Sequence, residues 1–178
     1  MDIIIYGSCY GTARQYAEKL GKKTHISVKP YKDISHLDGY NTIVYIGALY
    51  AGGVLGMKET FGKLTAVQGK NIIIVTVGLA DPTDTKNIEN IRNNMQRQLS
   101  HSVFKHAHIH HLRGGIDYSR LSLKHKTMMW MVYMKSRKIP KEERTAEIRA
   151  MIETYNKQVN FVDFNSLESI IDDMKMVK

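Results

Sequence analysis

A short loop near the N-terminus carries several hydroxyl groups between a strand-type and a helix-type segment. The apolar run Asp2–Tyr6 favours a strand, and helical spacing of apolar residues starts just after Thr12. The N–H groups and the positive dipole end at the start of a helix bind anions. Ser8, Tyr10 and Thr12 add hydroxyl donors, and Gly11 lets the backbone approach the anion closely. The loop therefore predicts a site for a phosphate monoester.

Two later strand-type segments also end in loops of small residues. The segment Thr42–Gly47 is followed by residues 48–52, and the segment Lys70–Val77 is followed by residues 78–81. In open parallel sheets, ligands bind beyond the carboxyl ends of the strands. Tyr50 is placed to stack on a flat ligand or to cover its edge. Together with the first loop, these segments predict a planar phosphorylated cofactor.

The elements that must position these loops alternate along the chain. Strand-type runs occur at Asp2–Tyr6, His25–Tyr31, Thr42–Gly47, Lys70–Val77 and Val103–Leu112. Apolar residues recur at helical spacing between them, and the inner runs are apolar throughout, as in strands buried on both faces. We therefore predict a doubly wound α/β fold, in which a five-stranded parallel sheet is covered by helices on both faces.

Length and composition are those of one globular domain. The chain has 178 residues, of which 43% are hydrophobic and 24% charged, and it has a single Cys. One Cys excludes an internal disulfide framework. The N-terminal residues lack the basic and apolar regions of a signal peptide, so we expect a cytoplasmic protein. We predict one domain over residues 1–178.

A basic insertion at residues 113–140 interrupts the alternation of strands and helices. The formal net charge of the chain is +9, and residues 113–141 hold eight Lys or Arg against Asp117 alone. The middle of the insertion is an apolar septet, Met128–Met134. A positive field of this kind attracts anionic partners such as acidic lipid headgroups or carboxylate ligands. A solvated basic face is the simpler interpretation.

The loop Ser8-Cys9-Tyr10-Gly11-Thr12-Ala13 resembles the FMN phosphate loop of flavodoxins. Its spacing matches neither the Gly-x-Gly-x-x-Gly nor the Walker motif. The chain as a whole is similar to the flavodoxin-like branch that includes the menaquinone-dependent protoporphyrinogen IX dehydrogenases. Residues 46–52 correspond to the loop beside the flavin ring, and residues 112–118 resemble the turn that opens the insertion of that branch. Ala13 departs from the family, which usually has Thr at this position.

The resemblance implies a flavodoxin-like sheet with the strand order 2-1-3-4-5. It also implies an FMN-binding oxidoreductase that transfers a hydride or two electrons through FMN. It also implies the site, which is formed by Ser8, Cys9, Tyr10, Gly11, Thr12, Ala13, Ala48, Leu49, Tyr50, Ala51, Gly52, Gly78, Leu79 and Asp81. Arg113 and Arg120 are the candidates for holding an anionic substrate. No side chain is expected to be catalytic, since the flavin carries the chemistry. The alternative is a non-enzymatic electron carrier that docks on a redox protein.

Three other functions are weaker interpretations of the same residues. A cysteine phosphatase needs Arg six positions after its Cys, whereas Arg14 is five positions after Cys9. The five histidines at 101, 106, 108, 110 and 111 are too closely spaced along one edge strand to form a metal site, so we expect no metal. The insertion carries no recognised nucleic-acid-binding module, so no nucleic-acid partner is expected.

The partner of the insertion stays open at this point. Residues 120–138 could dock on the anionic inner face of the membrane, with Trp130 buried among headgroups. A porphyrin with propionates, or a quinone, is a second candidate. The septet could instead pack on the domain or bury against a second copy in a homodimer.

Overall fold

Alternating strands and helices build one sheet with helices on both faces. The computed structural model of the chain describes residues 1–50 and 52–175. The strands are β1 (Asp2–Gly7), β2 (Val28–Pro30), β3 (Thr42–Tyr50), β4 (Gly53–Val54), β5 (Asn71–Gly78), β6 (His108–Arg113), β7 (Gly115–Asp117) and β8 (Gln158–Asn160). The helices are α1 (Thr12–Thr24), α2 (Met57–Phe61), α3 (Thr85–Gln98), α4 (His101–His106), α5 (Leu123–Arg137), α6 (Ala146–Thr154) and α7 (Glu168–Lys175).

The parallel sheet has the strand order β2-β1-β3-β5-β6. This order confirms the predicted fold, because β5 and β6 are the fourth and fifth of the predicted strands. The register places Gly7 beside Gly47 and Gly78 beside Arg113, so the carboxyl ends of the strands lie along one edge. The loops that follow β1, β3 and β5 therefore meet at that edge.

The inner strands are apolar because both of their faces are covered. Apolar side chains of α1 and α7 pack on one face of the sheet, and those of α3 and α4 pack on the other. Residues 3–5, 43–46 and 72–75 are at most 1% exposed. Burying one such side chain stabilises the fold by roughly 1.5–3 kcal/mol.

Two predicted strands are shorter in the structure. The run Val103–Leu112 divides into helix α4 and strand β6, because the Ser100 hydroxyl caps the helix by accepting from the Val103 N–H at 3.4 Å. The run His25–Tyr31 contributes only β2, since His25 ends α1 in the left-handed conformation with φ of 57°. Both differences arise where a cap, rather than apolar patterning, decides the boundary.

Residues predicted as the loop after the third strand are mostly strand. β3 continues through Tyr50 and turns back into β4, which pairs antiparallel with it. Leu49 lies opposite Val54, and Tyr50 lies opposite Gly53. One wall of the predicted site is therefore a hairpin that projects beyond the sheet edge.

The basic insertion folds against the C-terminal part of the chain. β7 pairs antiparallel with β8, and the Tyr133 ring on α5 stacks on Tyr155 with centroids 3.9 Å apart. α5 is 15 residues long. Among residues 1–50 and 52–175, no helix has both the length and the apolar character needed to cross a bilayer.

Substitution of Gly7, at the end of β1, tests the packing at the sheet edge. A Cβ at this position would lie 2.0 Å from the Leu55 backbone oxygen and 2.7 Å from the Tyr45 hydroxyl. We expect Gly7→Ala to lower the free energy of unfolding by about 1–3 kcal/mol, measured by urea denaturation. Gly39→Ala is the control, because its Cβ would meet no atom within 4 Å. Equal stability of the two variants would contradict this packing.

Candidate functional site

A cavity of about 690 Å³ opens at the carboxyl edge of the sheet. Its floor is formed by the start of α1, which follows β1, and by the ends of β3 and β5, where Thr12, Ala48 and Val77 line it. Its other walls come from helices α3, α5 and α6. The volume is typical of a small-molecule site. Its position is the one that open α/β sheets use for ligands.

The loop before α1 has the properties of an anion site. Gly11 has a φ of 95°, a conformation that favours glycine, and it precedes a 13-residue helix with no side-chain cap. The first N–H groups of α1 are therefore available to a ligand. A Cβ on Gly11 would meet nothing within 4 Å, so the space beside the loop is open. Within the loop, the Gly11 N–H donates to Ser8 Oγ at 3.1 Å.

Tyr10 lies at the cavity wall, with its hydroxyl group buried beside Cys9. Its side chain lines the cavity, and its oxygen is buried without a hydrogen bond. Burial, with a smaller contribution from Cys9, raises the pKa of Tyr10 well above its usual range, so this hydroxyl is a neutral donor. A buried hydroxyl that lacks a partner costs free energy until a ligand satisfies it.

Cys9 is not an activated nucleophile in this structure. Burial raises the pKa of its thiol, and its Sγ lies 3.9 Å from Nε2 of His125 on α5. A reactive cysteine needs the opposite shift.

Ala13, where the family usually has Thr, is fully buried in the core beneath α1. Only its backbone N–H is therefore available to a phosphate.

The hairpin after β3 forms one side wall of the cavity. Ala48, Leu49, Tyr50 and Gly52 all line it. The Tyr50 hydroxyl donates to Sδ of Met128 on α5 at 3.3 Å, which links the hairpin to the insertion. Ala51, also predicted as a site residue, lies outside the described residues. The predicted loop thus contributes to the site as part of a strand and its turn.

The end of β5 forms the opposite wall. Gly78 and Leu79 line the cavity, and a Cβ on Gly78 would lie 2.7 Å from Cδ1 of Leu49. Asp81, in contrast, does not line the cavity. Its carboxylate accepts from the N–H and hydroxyl of Thr83 at 2.8 and 2.7 Å, which lowers its pKa and stabilises the turn.

The two arginines predicted to hold an anionic substrate do not line the cavity. The Arg113 guanidinium lies 3.7 Å from the centroid of the Phe161 ring, and its Nε donates to the Leu79 carbonyl at 3.0 Å. Arg113 thus supports the 78–81 loop from behind. Arg120 is exposed on the short 3₁₀ helix after β7. Neither placement brings a guanidinium to the cavity surface.

Three helices contribute wall residues that the sequence did not reveal. From α3 come Asn87, Asn90, Asn94 and Arg97, and from α5 come Met128, Met129 and Val132. Helical spacing signals only which residues share a face, so the wall opposite the sheet could not be assigned. Part of the apolar septet therefore faces the cavity. Its other side chains remain outside, with Trp130 52% and Met131 54% exposed.

Glu147 is the most unexpected of these wall residues. It lies in the first turn of α6, and its Oε1 accepts from the Leu79 N–H at 3.5 Å. Its Oε2 is buried and has no hydrogen-bond partner. Burial raises the pKa of Glu147, while the N–H groups of Leu79 and Ala80 act in the opposite direction. The local sequence, rich in charged residues, resembles an exposed helix start.

The residues at the cavity are of the types that would fit a phosphorylated flavin. The uncapped start of α1 and the Thr12 hydroxyl would hold the phosphate, and the hairpin and the 78–79 backbone would flank a ring. Apolar Met and Leu side chains with few polar groups are typical of such a pocket.

Tyr10 and Tyr16 give a matched test of these hydrogen-bond assignments in the protein without ligand. We expect Tyr10→Phe to leave stability unchanged or raise it by about 1 kcal/mol, because it removes a buried hydroxyl without a partner. Tyr16→Phe should lower stability by about 1–3 kcal/mol. Its hydroxyl donates to the Arg113 carbonyl at 2.8 Å and accepts from the Asp163 N–H at 3.0 Å. Thermal unfolding measures both, and the reverse ranking would contradict the assignments.

Comparison with solved structures identifies several distant likenesses. A protein from Bacteroides uniformis, provisionally named a flavoprotein, is 13% identical, covers 66% of this chain and 93% of its own, and has a TM-score of 0.47. A flavodoxin from an archaeon is 16% identical over 63% of this chain and 82% of its own, with a TM-score of 0.38. A Pseudomonas aeruginosa flavodoxin variant is 15% identical over 75% of this chain and 96% of its own, with a TM-score of 0.39.

Comparison with curated protein sequences gives no significant match. Comparison with family models gives a clear one, to the model described as a flavodoxin domain. The match extends over residues 3–144, and so includes the phosphate-type loop, the inner strands and the whole insertion. The strand order and the position of the cavity agree with that match. The chain belongs to the flavodoxin domain family.

Proposed function

We propose that this protein binds FMN in the cavity at the carboxyl edge of its sheet and acts as an oxidoreductase. The observation that carries the proposal is the loop before α1, where a helix starts without a side-chain cap and Tyr10 and Thr12 line the cavity. Membership of the flavodoxin domain family supports it. FMN, when bound, supplies hydride or two-electron transfer.

The chain's own residues would bind and shield the cofactor. Donors at the start of α1 neutralise a phosphate dianion, to which Thr12 adds a hydroxyl. The hairpin side chains Leu49 and Tyr50 exclude water from one side of the ring site. Met128 and Met129 of α5 exclude water from the side opposite the sheet, so the insertion forms part of the ring site. A drier site strengthens the polar contacts within it.

The finer proposal is an enzyme that oxidises protoporphyrinogen IX and reduces a quinone. Its support is the resemblance of residues 112–118 to the turn that opens the insertion of that branch, together with the basic charge of the insertion. The alternative is a carrier that docks on a redox protein. Turnover of protoporphyrinogen IX by flavin-loaded protein with a quinone acceptor separates the two.

The phosphate site is tested by comparing FMN with riboflavin, which lacks the phosphate. We expect FMN to bind at least about tenfold more tightly, the equivalent of one charge-assisted hydrogen bond. Thr12→Ala should weaken FMN binding about 2–10-fold and leave riboflavin binding unchanged, since only the phosphate contact is lost. Flavin absorbance and fluorescence titrations measure both affinities.

Thr65→Ala is the control for this comparison. Thr65 precedes β5 and so lies at the opposite edge of the sheet, where its hydroxyl donates to Asp38 at 2.9 Å. Its substitution should change neither affinity. Equal binding of FMN and riboflavin by the unmodified protein would exclude the phosphate site.

We further propose that the outer face of α5 docks on an anionic membrane surface. Trp130, Met131 and Met134 are 52%, 54% and 40% exposed on one helix. Five exposed cations surround them, at Lys124, Lys126, Lys135, Arg137 and Lys138. Attraction to anionic headgroups combined with shallow burial of apolar side chains is how amphipathic surfaces bind membranes.

Vesicle sedimentation tests the docking surface. We expect the protein to sediment with vesicles rich in anionic lipid and to stay in the supernatant with zwitterionic vesicles. The double variant Trp130→Ser/Met131→Ser should lose most of the binding, because it removes the apolar part of the surface. Unchanged sedimentation of that variant would contradict the burial of these apolar side chains in the membrane surface. A concentration-dependent dimer that the variant abolishes would instead assign the face to a second copy.

A further inference from the structure

We infer that Arg97, together with the amide side chains beside it on α3, forms a subsite for a second substrate, an organic carboxylate with an apolar body. The inference rests on the proposed function and deepens it, because it assigns a residue that would hold the molecule that reacts with the flavin. Arg113 and Arg120, predicted for this role from the sequence, do not line the cavity, whereas Arg97 does.

The phosphate-type loop and Arg97 lie on opposite sides of the carboxyl edge of the sheet. Helix α1, which begins at Thr12, covers one face of the sheet, and α3 covers the other. Both helices line the cavity, so it reaches across the edge from one face to the other. The Val54 N–H donates to Gln98 Oε1 at 2.8 Å, which holds the hairpin on the last turn of α3 beside Arg97. A phosphate bound at the start of α1 therefore leaves the α3 side of the cavity to a second molecule.

Arg97 is the one cation among the described residues that line the cavity. It is exposed, and within residues 1–50 and 52–175 it forms no ion pair and stacks on no aromatic ring. Arg92, on the same helix, is different, because its guanidinium lies 5.2 Å from the centroid of the Phe104 ring. A guanidinium without a partner at the opening of a cavity can bind a carboxylate through two parallel hydrogen bonds.

The acidic residue in the cavity lining, Glu147, does not neutralise Arg97. Its carboxyl group lies at the end of β5, where Oε1 accepts from the Leu79 N–H at 3.5 Å, and it forms no ion pair with Arg97. The positive charge at the α3 side is therefore uncompensated by the lining residues. An anionic group of a ligand would supply the compensation.

Amide side chains continue the polar surface from Arg97 along α3. Asn87, Asn90 and Asn94 line the cavity, and intervals of three and four residues place them on one face of the helix. From Asn87 to Arg97 this face is roughly 15 Å long, at a rise of about 1.5 Å per residue. Asn87 is only 4% exposed, and its amide group forms no hydrogen bond with another described residue. A polar group of a ligand would satisfy such an amide.

The wall that α5 contributes is apolar and defines the other half of the ligand. Met128, Met129 and Val132 line the cavity from this helix. Methionine side chains adapt to irregular apolar surfaces. A ligand with an apolar body would pack against these side chains and direct its carboxylate to Arg97. A neutral quinone would use only the apolar wall, so the polar surface of α3 is what favours an anionic substrate.

The experiment compares naphthoate with naphthamide, which have the same apolar body and differ in charge. Calorimetric titration of the FMN-loaded protein measures both affinities, and a shift of the flavin absorbance bands reports binding beside the ring. We expect naphthoate to bind at least about tenfold more tightly, as for a charge-assisted hydrogen bond. Arg97→Gln should abolish this preference and leave the naphthamide affinity unchanged, because only the contact to the carboxylate is lost.

Arg92→Gln is the matched control, since it removes the same charge from the same helix outside the cavity lining. It should retain the preference for naphthoate. A preference that Arg92→Gln also lost would assign the effect to the overall positive field and overturn the inference. Equal affinity of the unmodified protein for the two probes would overturn it as well, even if Arg97→Gln failed to fold.

The outcomes separate this inference from the proposed function. If FMN binds but naphthoate is not preferred, the function stands and the subsite falls. If Arg97→Gln weakens FMN binding and leaves riboflavin binding unchanged, Arg97 holds the cofactor phosphate and the subsite falls. If the unmodified protein binds neither flavin, both fall together. Loss of the naphthoate preference in Arg97→Gln alone, with unchanged FMN affinity, supports both.

Discussion

The burial of β1, β3 and β5 on both faces is the constraint on which the rest of the structure depends. Strands apolar throughout are stable only when helices cover both sides, and parallel strands require such crossover helices in any case. The crossovers return each strand in the same direction, so every carboxyl end reaches one edge. Gly7, Gly47 and Gly78 have no side chain at that edge, so neighbouring loops and side chains pack directly against the backbone there. The site follows from how the core is covered.

The insertion has two faces with different surroundings. Met128 and Met129 line the cavity, whereas Trp130 and Met131 are more than half exposed. A helix that is apolar all round is usually buried all round. Here one face is part of the cavity wall and the other lies beside cations, so the same helix connects the ligand site with the surface. Contacts of His125 with the 8–12 loop and of Tyr50 with Met128 hold the helix over the site.

Five buried polar side-chain atoms in the described part of the chain have no hydrogen-bond partner, and two of them, the oxygens of Tyr10 and Glu147, belong to residues that line the cavity. Such groups destabilise the protein unless water or a ligand satisfies them. By contrast, the hydroxyl groups of Tyr16 and Tyr45, at the same edge, are bonded to backbone carbonyls. The hydroxyl groups of Tyr16 and Tyr45 thus stabilise the structure through hydrogen bonds, whereas the oxygens of Tyr10 and Glu147 form none within the protein.

The sequence by itself determined the fold class and the presence of a loop with glycine before the first helix, while the strand order followed from the family resemblance. These depend on local properties: continuous apolar runs, helical spacing and a glycine before a helix start, as at Gly11. Boundaries set by caps, at Ser100 and His25, were less well predicted because a cap depends on backbone conformation. Only the tertiary structure decided that Glu147, Asn87 and Met128 share one cavity. They come from three helices far apart in the chain, and nothing local in their sequence signals that the packing of those helices brings them together.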